Sequence, residues 1–207
     1  MAPLKFVTFE GGEGGGKSTQ LRLLAEALRQ TGETAVTTRE PGGAPGAEEI
    51  RRLLVEGEPG RWPPDAEALL HFAARAEHLA AVIRPALEAG QWVLCDRFAD
   101  STVAYQGYGQ GLDLNWLQQL RARIVGATEP GLTLLLDLPV ETGLGRVREQ
   151  QRYERMGRAF HERLQAGFLA IAKAEPERCV VIDATRSIDA VAADVRAAVT
   201  RRFGVKV

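Results

Sequence analysis

The residues best equipped for chemistry stand near the start of the chain, in Gly11-Gly12-Glu13-Gly14-Gly15-Gly16-Lys17-Ser18-Thr19. The spacing Gly-x-x-x-x-Gly-Lys-Ser is the phosphate-binding loop pattern. Glycines let a backbone curl until several N–H groups face one phosphate, and a helix N-terminus behind them adds partial positive charge. Lys17 is then placed to reach the outer phosphates of a nucleotide, and the Ser18 hydroxyl to ligate Mg²⁺. The flanks supply the required context: an apolar run from Phe6 to Phe9 ahead, and Leu21, Leu24 and Leu28 at helical spacing behind. Glu13 is the odd member, because a carboxylate repels phosphate. It either turns to solvent or meets something else, such as a sugar hydroxyl.

Further candidates follow other apolar runs. Arg39, next to Glu40-Pro41, is placed to grip an anion bidentately, and the Glu40–Pro41 bond is a candidate for the cis form. Asp96 and Arg97 close another run. The acid suits Mg²⁺ coordination opposite Ser18, directly or through water, and the guanidinium suits a phosphate clamp; a structural salt bridge is the plainer alternative. Phe72 and Arg75, three apart on a helical pattern, share a face and suit the face and edge of a base, although such a phenylalanine is also ordinary core. Between positions 146 and 163 stand Arg146, Arg148, Arg152, Arg155, Arg158 and Arg163 against Glu149, Glu154 and Glu162. That density fits either a solvated helical face or a lid that closes over a polyphosphate. Thr185 reads as a helix N-cap; a backbone that lines an adenine pocket and capping alone explain it equally well.

The elements that must carry these groups alternate. Apolar strand patterns at 4–9, 34–38, 91–95, 132–137 and 179–183 are separated by helical patterns near 17–31, 46–56, 65–89, 99–106, 114–126, 140–148, 158–174 and 187–202. Such alternation predicts an α/β fold, a five-stranded parallel sheet with helices on both faces, and a ligand site at the carboxyl ends of the strands. Pro85 is expected to bend the third helical pattern near Arg84. One domain over 1–207 is expected, since the Pro/Gly-rich stretch 57–64 is too short to divide it.

The 207 residues carry a formal net charge of −1, so no global field gathers nucleic acid or acidic membrane. No leader and no apolar run near the length of a membrane span is read, which predicts a soluble, untargeted protein without nucleic-acid or membrane partners. Cys95 and Cys179 each sit in an apolar run and read as reduced core thiols. His71, His78 and His161 lack ligand spacing and are assigned no metal.

Taken together, Phe9 to Thr19, Thr38-Arg39-Glu40-Pro41-Gly42-Gly43, Phe72-Ala73-Ala74-Arg75, the stretch Asp96 to Gly107 and the closing Asp183-Ala184-Thr185 resemble the thymidylate kinases, a family with the P-loop NTPase fold. The resemblance implies transfer of phosphate from ATP to dTMP with Mg²⁺, in a cytoplasmic homodimer. It implies that Gly11 to Thr19, with Arg146 and Thr185, hold ATP, and that Ser18 and Asp96 serve the metal. It also implies that Phe72 stacks on thymine and Arg75 bonds its edge. Arg39 and Arg97 hold the acceptor phosphate, Glu13 meets the 3′-hydroxyl, and Tyr105 fills the space of a 2′-hydroxyl. Ser101 or Thr102 lies near the pyrimidine, and Gln106 belongs to the dTMP site. Some members carry an arginine in the loop where this chain has Gly14. This chain resembles the other type, with the charge in a lid at about 146–158, and Arg148 or Arg152 is expected to join Lys17 and Arg97 at the transferred phosphate.

A phosphate-monoester acceptor has a second pKa of about 6 and needs no general base. Catalysis is then positioning and charge neutralisation. The rival is a deoxynucleoside kinase, in which Glu40 acts as base toward a neutral hydroxyl; a two-arginine clamp argues against it. A nucleotide-gated binding module is the alternative of another class, and it leaves Phe72 and Arg75 without a task.

Overall fold

The computed structural model describes residues 3–147 and 152–207. In chain order it contains β1 (Phe6–Glu10), α1 (Lys17–Gln30), β2 (Ala35–Arg39), α2 (Pro45–Val55), α3 (Pro64–His78), α4 (Arg84–Glu88), β3 (Trp92–Asp96), α5 (Ala99–Thr102), α6 (Leu114–Ile124), β4 (Leu132–Asp137), α7 (Val140–Arg146), α8 (Arg158–Ala174), β5 (Cys179–Asp183) and α9 (Ile188–Phe203). The strands form one parallel sheet in the order β2-β3-β1-β4-β5.

Alternation along β1 explains the layers. Val7 and Phe9 point to the face covered by α1 and α9, where Leu24, Leu28, Val191, Val195 and Val199 meet Leu134 and Leu136. Phe6 points to the other face and packs with Leu79, Ile83, Val93 and Phe98. Thr8 and Glu10 share that second face but are polar and fully buried. Thr8 hydrogen-bonds Thr133 at 2.8 Å. Asp100 is buried nearby, held by Arg121 at 2.9 Å and by Arg178 at 2.7 and 2.8 Å.

Pro85 acts just upstream of where the sequence places the bend. The backbone of Leu79–Ile83 widens into a π turn in which the Arg84 N–H reaches the Leu79 carbonyl. A ring that clashes with the carbonyl four residues back, and lacks an N–H, is relieved by that widening. The cap of α9 differs from expectation. Ser187, not Thr185, caps it, accepting from the Ala190 N–H at 3.3 Å, whereas the Thr185 hydroxyl donates to Asp183 at 2.6 Å. Both cysteines are buried and unpaired. No helix among the described residues is long and apolar enough to cross a membrane.

Candidate active site

Register brings the chemistry together. Arg39 pairs with Asp96 across β2–β3, and Asp96 with Phe9 across β3–β1, so three strand ends lie side by side. The glycine loop leaves β1 there and turns into α1 at Gly16, whose φ of 80° is left-handed. Gly14, at φ 68°, tolerates no side chain. A Cβ on it would lie 2.1 Å from the Gly143 carbonyl oxygen of α7.

Lys17 is buried and donates to the Gly11 and Gly12 carbonyls at 3.2 and 2.7 Å. Burial, then the Arg97 charge, lowers its pKa. The Ser18 hydroxyl donates to Asp96 at 2.5 Å. Arg97 itself sits at φ 68° and aims its fork at the Gly11 carbonyl and the Glu13 carboxylate, both 2.9 Å away, with Ser101 at 3.3 Å. Tyr105 donates its hydroxyl to the same Glu13 oxygen and lies under the Arg97 guanidinium. Burial alone would raise the Glu13 pKa, but Arg97 first, then Lys17 and the Tyr105 hydroxyl, bring it down to about 2. The carboxylate is therefore an ionised strut between the loop and the Arg97 segment, which explains its place among phosphate-facing amides.

Two cavities meet at these residues. One, of about 280 Å³, follows the loop from Glu13 to Thr19 and ends on Asp96 and Arg97. The other, of about 260 Å³, runs away from it along α3 and shares Glu13, Ser18, Asp96 and Arg97 as its inner wall. Arg39, Arg51, Arg75, Ser101, Thr102, Tyr105 and Gln106 also line it. Arg39 stands at the mouth and donates through Nη2 to both Glu48 carboxylate oxygens, at 3.0 and 3.1 Å.

Arg75 is held from every side. Glu40 accepts its Nε at 2.8 Å, and the Phe98 carbonyl and Thr102 hydroxyl accept Nη2 at 3.0 Å each, while the buried Nη1 has no protein partner. Glu40 is in turn fixed by His78 at 3.0 Å and is almost wholly buried. It is not free to act as a base toward a hydroxyl. Gln106 donates its amide N–H to Glu67 at 2.8 Å, as does Gln110 at 2.7 Å. Because Glu67 also faces Arg152 and accepts from two amides, Gln106 is oriented with its carbonyl oxygen left over, buried and unpartnered.

The structure places several expected residues elsewhere. Phe72 is 2 % exposed and packs with Ala68 and Leu117 behind the Arg75 guanidinium, not on the cavity wall. The aromatic ring that α3 contributes to that wall is His71. On a helix, positions four apart lie closer to one line than positions three apart, so His71 shares the Arg75 face more fully than Phe72 does. Arg152 is also turned away from the phosphate loop. It is buried against Glu67 at 2.5 Å and the Leu54 carbonyl at 2.8 Å, and Arg155 pairs with Glu58 at 3.0 Å. Arg148 lies outside the described residues. Arg146 does approach the loop, donating to the Ala184 carbonyl at 3.1 Å and the Gly14 carbonyl at 3.5 Å. Thr185, beside Ala184, is on the same edge. Arg51, which no motif marks, lines the cavity from α2 and donates to the Pro41 carbonyl at 2.7 Å.

A phosphate-binding glycine loop at the carboxyl edge of a parallel sheet, its cavity sharing a wall with an arginine-lined one, defines a P-loop phosphotransferase. A family model described as thymidylate kinase matches residues 9–195. The chain is 54 % identical over 203 residues to a thymidylate kinase of Caulobacter vibrioides, covering 97 % of this chain and 98 % of that one. It is 53 % identical over 194 residues to that of Ruegeria pomeroyi, covering 92 % of each. The crystal structure of thymidylate kinase from Ehrlichia chaffeensis superposes with a TM-score of 0.78 at 37 % identity, covering 94 % of this chain and 97 % of that one. The chain belongs to the thymidylate kinase family.

Proposed function

We propose that this enzyme transfers the terminal phosphoryl group of ATP to dTMP, giving dTDP for dTTP synthesis. The observation that carries the reading is the shared wall of the two cavities: Glu13, Ser18, Asp96 and Arg97 border both, so a donor on the glycine loop and an acceptor along α3 would meet phosphate to phosphate. The far end of the acceptor cavity supports a thymine. Arg75 offers an unpartnered donor and Gln106 an unpartnered acceptor, which matches a ring with a carbonyl beside an N–H and opposes cytosine, whose corresponding groups are reversed.

In this reading the acceptor oxygen is already ionised and the chain's task is to bring two polyanions together. Lys17 and Arg97 neutralise charge at the junction, and Arg39 and Arg51 do so at the acceptor phosphate. Each close guanidinium–phosphate contact supplies about 4 kcal/mol of attraction at an effective dielectric of about 20, before desolvation. Ser18 and Asp96 offer hard oxygen donors that suit Mg²⁺. Among the described residues no cluster of three acidic, histidine or cysteine side chains exists to cage a metal, so phosphate and water would complete its shell. Mg²⁺ bound there would supply charge neutralisation between the two nucleotides. The segment 146–158 serves as the lid of a single domain, with Arg146 at its loop end. A cytoplasmic homodimer completes the reading, and exposed Leu53 and Leu69, on the adjoining α2 and α3, would give the dimer an apolar face.

The test is ADP release with ATP and Mg²⁺ across dTMP, dUMP, thymidine, UMP and CMP. dTMP is expected to be the fastest acceptor and CMP and thymidine close to background. Turnover of thymidine with none of dTMP would replace this reading by the neutral-hydroxyl one.

A further inference from the structure

The backbone on both sides of Arg97 is held by β1. The Arg97 N–H donates to the Phe9 carbonyl at 2.9 Å, and the Phe98 N–H donates to Glu10 Oε1 at 2.8 Å. Between these bonds Arg97 keeps its left-handed φ of 68°, a conformation that persists only where the surroundings over-determine it. The second Glu10 oxygen accepts the Ser101 hydroxyl at 2.6 Å, and Ser101 Oγ accepts from Arg97 Nη1 at 3.3 Å. Glu10 is fully buried, and Ser101 lines the acceptor cavity. A carboxylate out of reach of solvent thus stands behind both the backbone and the guanidinium of the clamp.

We propose that Glu10 is a positioning residue for the acceptor: its proton decides whether the Ser101 hydroxyl points at the carboxylate or into the cavity, and an acceptor phosphate at Arg97 draws that proton on. This rests on the dTMP reading above and adds a residue that no substrate touches. Ionised, Glu10 only accepts, so Ser101 gives its hydrogen to it. Protonated, Glu10 Oε2 donates to Ser101 Oγ. That oxygen then accepts from Glu10 and Arg97, and its own hydrogen turns to the cavity, where an oxygen of the acceptor takes it. The charged and titratable groups around Glu10 are Asp100 of α5, Arg97, Lys17 of α1 and the Cys95 thiol of β3. Asp100 is itself bound by Arg121 of α6 and by Arg178, and Arg75 of α3 binds the Phe98 carbonyl. On β4, Leu135 pairs with Glu10 and adds no charge. Burial, then Asp100, raise the Glu10 pKa to about 7, while the Ser101 hydroxyl, Arg97 and the Phe98 N–H hold it down. Near pH 7 both states are therefore populated. A phosphate dianion at Arg97 adds negative charge and raises that pKa further, so acceptor binding takes up a proton.

Glu10→Gln keeps the protonated pattern at every pH: its amide oxygen accepts the Phe98 N–H and its amide N–H donates to Ser101. The experiment measures kcat and KM for dTMP from pH 6 to pH 9 in wild type, Glu10→Gln and Ser101→Ala, with melting temperatures to check folding. Calorimetry of dTMP binding in two buffers of different ionisation enthalpy counts the protons taken up at pH 7.5. Ionisation of dTMP itself is common to all three proteins and cancels in their ratios. Wild type and Glu10→Gln are expected to share one KM at pH 6. By pH 9 the wild-type KM should be about 3- to 10-fold the higher, as a shift of about half to one pKa unit implies, with a smaller change in kcat. Wild type should take up more protons than Glu10→Gln. Ser101→Ala should raise KM at pH 6 by about 2- to 10-fold, the value of one hydrogen bond, and by less at pH 9, where the wild-type hydroxyl already faces Glu10. A wild-type to Glu10→Gln ratio of KM that stays flat from pH 6 to pH 9, or equal proton uptake in the two, would overturn the proposal. So would an equal loss in Ser101→Ala at both ends of the range. A wild-type enzyme that releases ADP with another acceptor and not with dTMP would instead overturn the reading under Proposed function.

Discussion

Replacing Arg97 by alanine tests the junction most directly. The side chain makes charge-assisted contacts to Glu13 and the Gly11 carbonyl, both at 2.9 Å, and covers the Tyr105 ring. Two effects separate. The first is on the reaction: loss of one close phosphate contact, about 4 kcal/mol at an effective dielectric of about 20, corresponds to about 10³-fold in kcat/KM. The second is on the free protein: Glu13, with its side chain 14 % exposed, loses its main counter-charge. With Arg97 present the Glu13 pKa falls from 4.5 to about 2. A depressed carboxylate pKa stabilises the fold above the unfolded pKa, and that contribution disappears as pH falls through the folded one. The window is therefore pH 4.5 down to 2, and 2.5 units amount to about 3 kcal/mol. Denaturant melts of wild type and Glu13→Gln should show their stability difference shrinking by about that much between pH 5 and pH 2. In the Arg97→Ala background the same comparison should show no such loss, because burial then opposes the charge on Glu13. Coupled ADP-release kinetics supply the first number and the melts the second. A fall in kcat/KM of less than tenfold, or a pH-dependent difference equal in both backgrounds, would refute the assignment of Arg97 as both clamp and strut.

Two further outcomes follow from buried contacts. Gly14→Ala should destabilise by at least about 2 kcal/mol and depress ATP turnover, since its Cβ would meet the Gly143 backbone at 2.1 Å; a melt within 0.5 kcal/mol of wild type would show that α7 yields freely. Glu10, fully buried, accepts from the Phe98 N–H at 2.8 Å and the Ser101 hydroxyl at 2.6 Å, and burial, then Asp100, raise its pKa to about 7. A raised carboxylate pKa means stability is lost as pH rises from 4.5 to about 7. Glu10→Gln should remove that slope from the pH–stability curve, and an unchanged slope would place its origin elsewhere.

What could be read from the sequence follows from the range over which each feature is determined. The strands and the loop are local: apolar runs bounded by turn residues mark them, and Arg39, Asp96 and Arg97 are legible because a parallel sheet presents its ligands at strand carboxyl ends. The wall of the cavity along α3 is not local. Phe72 drew the base-stacking role because it is aromatic, yet the packing of Ala68 and Leu117 takes it inward and leaves His71 outward. The signal available was the spacing of four from His71 to Arg75. Arg152 illustrates the opposite difficulty. Arginine density suggested phosphate, but Glu67 and Leu54, which capture it, stand 85 and 98 residues earlier. The glycine loop shows why both kinds of reading are needed. Its pattern predicts phosphate binding, but only the approach of Gly143 explains why position 14 is bare: backbone occupies the space a side chain would need. A second cation beside Lys17 cannot then be built at position 14. Among the described residues of the segment 146–158, Arg146, donating to the Gly14 carbonyl itself, is the arginine that α7 already holds against it.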